Sequence, residues 1–184
     1  LRAMKKIKQG LLTFLMLLMH YPVMAADDYK VEYQFSVLFL AKTCEIDVPN
    51  EIIFGNASGV TTVSEIKKDT VAKNFSIGLR NCTTTDQKTA AVYLASGNTL
   101  NGSKNFFNDD PNGVIGVQLL EGNRVIDVNQ NSLLKPDAAS IIWDNIQSVS
   151  ETKMVTAKLR CAESNCNPSD GDFSATLTIG YYAD

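Results

Sequence analysis

Histidine occurs once in this 184-residue chain, as His20, inside a segment that reads as a leader. Ser-His-Asp and Cys-His catalytic arrangements rely on an imidazole base, so the residues after that segment have neither. A long hydrophobic run is also lacking. Leu11 to Met19 is apolar but reaches only about half of the ~20 residues a helical membrane span needs. No second hydrophobic segment, internal repeat or low-complexity linker divides the remainder. A surplus of positive charge is missing too, since 17 Lys and Arg face 20 Asp and Glu. Four of those cations (Arg2, Lys5, Lys6, Lys8) lie in the leader and none of the acids does, so 13 against 20 leaves a net charge of −7. An acidic domain is poorly suited to nucleic acid, which is held by cationic surfaces.

The leader itself has three parts. Lys5, Lys6 and Lys8 follow Met4, the apolar run comes next, and Pro22 precedes Val23-Met24-Ala25. This is the layout of a secretory signal peptide, with cleavage expected after Ala25. About 160 residues then remain, enough for one domain with a core of its own. All four cysteines, Cys44, Cys82, Cys161 and Cys166, lie in this part. An even count behind a signal peptide predicts disulfides made in an oxidising compartment. Three pairings are possible. The short spacing of Cys161 and Cys166 favours a small closed loop, which leaves Cys44 for Cys82. Zinc is the rival reading, and it fails for want of histidine and of regular spacing. No cofactor or metal is expected.

The polar–apolar period is two almost throughout. Tyr29, Val31, Tyr33, Phe35 and Val37 alternate with Lys30, Glu32, Gln34 and Ser36. Phe173, Ala175, Leu177, Ile179 and Tyr181 alternate with Ser174, Thr176, Thr178 and Gly180. Further strands are expected over Ile52–Phe54, Val71–Leu79, Ala90–Leu94, Val114–Leu120, Arg124–Val128 and Lys153–Arg160, with turn signals between them. Gly122-Asn123 marks a hairpin between two of these. One short helix is expected within Thr62–Ala72. Many short strands with few helices predict an all-β sandwich.

Several local patterns invite chemistry and have plainer readings. Ser64-Glu65-Ile66-Lys67 matches an S-x-x-K motif but lacks its companion elements. Asp109-Asp110 and Asp170-Gly171-Asp172 lack the spacing of a calcium loop and use residues that turns favour. Trp143 and Phe106-Phe107 are candidates for a sugar site, though a core tryptophan and a loop anchor explain them as well. N-x-S/T triplets at Asn56, Asn74, Asn81 and Asn101 suit an Asn- and Thr-rich β protein.

Two terminal strands resist a plain reading. At roughly 1.5–3 kcal/mol per buried side chain, the apolar stripe of Tyr29 to Val37 has to be covered. It either forms a first strand of its own sandwich or is offered to another chain. Phe173 to Tyr181 is either central in its sheet or hazardous at an edge.

Five elements in order resemble the pilins of chaperone–usher fimbriae, of the type 1 and P pilus family. Cys44-Glu45-Ile46, Ile52-Ile53-Phe54-Gly55 and Phe75-Ser76-Ile77-Gly78-Leu79-Arg80-Asn81-Cys82 are similar to that family's first half. Gly113-Val114-Ile115-Gly116-Val117-Gln118-Leu119-Leu120 and Ala175-Thr176-Leu177-Thr178-Ile179-Gly180-Tyr181 are similar to its second half. Phe39-Leu40-Ala41-Lys42-Thr43-Cys44 resembles a stretch of the type 1 minor pilins. The resemblance implies an incomplete immunoglobulin-like β-sandwich, missing its last strand, with an N-terminal donor-strand extension.

By that resemblance, residues 1–25 are upstream residues and signal peptide, 26–37 the donor extension, and 38–184 the pilin domain. Tyr29, Val31, Tyr33, Phe35 and Val37 become donor residues. Phe173, Ala175, Leu177, Ile179 and Tyr181 line the groove-edge strand. Expected partners are a periplasmic chaperone, an outer-membrane usher and neighbouring subunits joined head to tail, with a host receptor as a further candidate. The expected function is that of a structural, non-enzymatic subunit exported through the periplasm to a cell-surface fimbrium and serving adhesion. Its rivals are a minor tip, adaptor or receptor-binding subunit and a free secreted carbohydrate-binding sandwich. The chain departs from the family pattern at Val37, where glycine is usual, and in the Cys161–Cys166 loop.

Overall fold

The computed structural model describes residues 29–39, 44–82, 90–131, 135–146 and 148–183. The leader and the start of the donor extension, through Asp28, fall outside them. The elements are β1 (Tyr29–Phe39), β2 (Glu45–Asp47), β3 (Val60–Thr61), α1 (Val63–Lys67), β4 (Ala72–Arg80), β5 (Ala91–Gly97), β6 (Ile115–Glu121), β7 (Arg124–Val125), β8 (Ile141–Asp144), β9 (Glu151–Cys161) and β10 (Phe173–Tyr182). They form two five-stranded sheets, ordered β3-β1-β10-β5-β8 and β2-β4-β9-β6-β7. The fold is an all-β sandwich.

Alternation decides which side chains face the interior. Phe75, Ile77 and Leu79 of β4, Val155, Ala157 and Leu159 of β9, and Val117 and Leu119 of β6 are buried on one side. Val92 and Leu94 of β5 and the odd-numbered residues of β10 belong to the same core cluster. The β6–β7 hairpin turns on Gly122, whose φ of 60° suits a two-residue turn, and pairs Glu121 with Arg124 and Leu120 with Val125. Its second strand is shorter than expected, although Ile126 still donates its N–H to Leu119 O at 2.9 Å.

The expected strand Ile52–Phe54 does not form. Its alternation is real, since Ile52 and Phe54 are buried and Ile53 is exposed. Those two buried side chains anchor the segment to the core. Gly55 then turns the chain at φ 78°, and a Cβ there would collide with Val60 O. The helix is shorter than the periodicity allows. Thr62 and Glu65 close a capping box at its start. Its end is fixed by Asp69, whose φ of 59° leaves the right-handed region.

Candidate functional site

β10 is the strand on which the candidate site is built. It lies between β1 and β5, with Phe173, Ala175, Leu177, Ile179 and Tyr181 buried on one face. Against β5 it runs antiparallel, from Leu177 opposite Gly97 to Tyr182 opposite Ala91. Gly97 suits this approach: a Cβ there would lie 2.6 Å from Leu177 Cδ2 and 3.1 Å from Phe107 Cδ1, so the buried Leu177 side chain would have to shift.

Along the other edge, β1 runs parallel to β10 in an unbroken register from Val31 opposite Phe173 to Phe39 opposite Tyr181. Of the expected donor residues, Val31, Tyr33, Phe35 and Val37 stand opposite Phe173, Ala175, Leu177 and Ile179. Tyr29 pairs with Thr61 of β3. Phe35 is buried against Phe75 of the opposite sheet, with ring centroids 5.2 Å apart. The segment expected to serve another chain therefore lies, in the single chain, along its own β10.

The first residues of β10 extend past the end of β5, and a loop residue takes the place of a strand there. Asp109 N–H donates to Ser174 O at 2.9 Å. Thr176 N–H donates to Asp109 Oδ1 and Thr176 Oγ1 to Oδ2, each at 3.0 Å. Asn98 Nδ2 also donates to Oδ1, at 3.1 Å. Burial alone would raise the Asp109 pKa. The hydrogen bonds from the Thr176 N–H and from the side chains of Asn98, Ser174 and Thr176 outweigh it and hold the carboxyl below its ordinary range. Sequence reasoning took Asp109 for a turn former, and nothing in its neighbourhood signals a partner 67 residues away.

Both disulfides are present. Cys44–Cys82 ties the entry of β2 to the exit of β4, and Cys161–Cys166 closes the loop after β9. Ser64 and Lys67 are exposed on α1, and Lys67 Nζ contacts Asn167 Oδ1 at 3.5 Å. Asp170 and Asp172 are exposed as well. Among the described residues no group of three His, Cys, Asp or Glu side chains is placed to hold a metal.

Trp143 lines a surface pocket of about 370 Å³ with Glu121, Arg124 and Lys153. It is only 7 % exposed, so it offers no open ring face for a sugar. Both of the pocket's cations are held by Glu121, Lys153 at 2.7 Å and Arg124 at 3.7 Å. Phe107 is fully buried between β5 and β6, bridging Thr99 and Val117. Both aromatics serve packing.

A family model described as fimbrial protein matches residues 31–182. Among solved structures, the P pilus rod subunit PapA superposes with a TM-score of 0.55 at 15 % identity, over 77 % of this chain and 99 % of that one. No curated protein matches the sequence significantly. Two facing sheets, a long C-terminal strand and a family match across nearly all described residues agree: the chain belongs to the fimbrial protein family and is a structural subunit of a fimbrium, the cell-surface fibre in which it contacts other subunits.

Proposed function

We propose that the subunit is polymerised by donor-strand exchange along β10 after export through the periplasm. In this reading a periplasmic chaperone first covers the β10 edge, and the usher then guides a neighbouring subunit's N-terminal segment into its place. The observation that carries the reading is the continuous nine-pair parallel ladder that β10 forms with the chain's own β1 on the side away from β5. Strand addition draws affinity from such a ladder and specificity from alternate side chains. Tyr29, Val31, Tyr33, Phe35 and Val37 are the proposed donor residues. The contact is head to tail and does not close, so it propagates as a filament. Residues 1–25 are the proposed leader and upstream residues, 26–37 the extension and 38–184 the domain.

A second reading is favoured by Phe35, whose burial against Phe75 suits an intrinsic first strand. Removal of residues 26–36 separates the two. A donor segment can be deleted while the domain still folds with its chaperone, accepts a neighbour's strand and caps fibres. An intrinsic strand cannot, and its deletion abolishes folding and chaperone binding, which sinks the donor assignment.

A further inference from the structure

The edge of β10 that faces β5 is paired in two different ways. Residues from Leu177 onward ladder with β5, whereas Ser174 and Thr176 bond to Asp109. The same residues stand opposite Glu32 and Gln34 of β1 on the far edge. A strand added to β10 thus meets two halves, one backed by the β5 ladder and one where Ser174 and Thr176 are bonded to the loop residue Asp109. Asp109 is itself held. Asn98 follows Gly97 at the end of β5, and its side chain reaches Oδ1 while its carbonyl accepts from Asn108 N–H at 3.0 Å. Asn108 in turn donates from Nδ2 to Ile115 O at 2.9 Å, which anchors the loop to the opposite sheet.

We propose that Asp109 is a positioning residue for strand addition: its carboxylate and its N–H stand in for the missing stretch of β5 and keep residues 173–176 of β10 extended for the arriving strand. Asp109 does not touch that strand; it acts through β10. An unbacked stretch would have to be ordered during docking, at a cost in backbone entropy that slows the step. A carboxylate suits this task better than an amide, because two donors of Thr176 reach its two oxygens and hydrogen bonds to a charged acceptor are the stronger kind. The inference rests on β10 being the docking edge, as proposed above.

The test uses the mature chain in its chaperone complex, where the chaperone holds the β10 edge, and a fluorescent peptide spanning Ala26 to Val37 that displaces it, with amide hydrogen exchange read alongside the docking rate. Asp109→Ala is expected to lower protection of the Thr176 amide at least about tenfold and to slow docking by a similar factor, while protection from Leu177 to Tyr181 is retained. Asp109→Asn, which keeps an oxygen acceptor, is expected to restore part of both. Docking at the wild-type rate despite an unprotected Thr176 would overturn the proposal and leave the docking edge standing. Docking of the peptide that leaves the chaperone in place would instead show that β10 is not the docking edge. If Asp109→Ala does not accumulate, Thr176→Val decides the matter, because it removes only the hydroxyl–carboxylate bond. A two- to threefold slower docking supports the role, and an unchanged rate overturns it.

Discussion

Phe35 and Phe75 meet across the sandwich with their ring planes at 45° and their centroids 5.2 Å apart. Phe35 is the described side chain by which β1 enters the core, since Gln34 and Ser36 on either side are exposed. Truncating a buried phenylalanine costs about 3–5 kcal/mol. Phe35→Ala is therefore expected to release β1 from β10 more readily than it unfolds the rest. Hydrogen exchange should rise in residues 29–39 before it rises in β4, β6 and β9. A uniform rise throughout the molecule would make β1 part of the indivisible core.

Acid should act on the start of β10. The folded-state pKa of Asp109 is lowered, so its contribution is complete above the ordinary carboxylate range and is lost as pH falls through the depressed folded value. Glu65, held by the Thr62 N–H, and Glu121, bonded by Lys153, are lowered as well. The informative quantity is therefore the difference between wild type and Asp109→Asn. That difference in melting temperature should be largest near neutrality and should shrink as the pH drops below about 4. A gap that is constant from neutrality to acid would mean the carboxylate charge plays no part.

Ile179→Asp tests β10 itself. Ile179 is fully buried opposite Leu94 and Val37. An unpaired carboxylate there costs several kcal/mol, and the chain should be lost to proteolysis without forming a chaperone complex. Ordinary yields of the complex would show that this face is not enclosed.

The Cys44–Cys82 bridge closes a separation of 38 residues. In the chain-entropy model that is worth about 4 kcal/mol. Replacing both cysteines with serine should lower the denaturant midpoint accordingly, and non-reducing peptide mapping of the parent should recover Cys44 with Cys82. A peptide joining either to Cys161 or Cys166 would contradict the structure.

The parts of the fold legible in advance were those where one face of a sheet is buried along a strand's whole length. Phe173 to Tyr181 alternates because its odd-numbered residues are all buried, and the period survives in the letters. β8 does not, because Ile142 and Trp143 are adjacent and both buried, which erases a period of two. β2 and β3 are too short to carry any period. Ile52 to Phe54 misleads in the opposite sense: it has the period of a strand, yet the chain forms no strand there. The Asp109–Thr176 contact lies beyond any local pattern, since its chemistry is common to every Asp in a turn and its partner is set only by the fold.

The parallel course of β1 and β10 also has a mechanical meaning. Tyr29 and Phe173 lie at one end of the sandwich, and Phe39 and Tyr182 at the other. Tension applied to β1 at its Tyr29 end and to β10 at its Tyr182 end slides the two strands past one another along their axes. The rungs between parallel strands are evenly spaced, so such a pull bears on all of them at once instead of peeling them open in turn. The ladder resists as a unit.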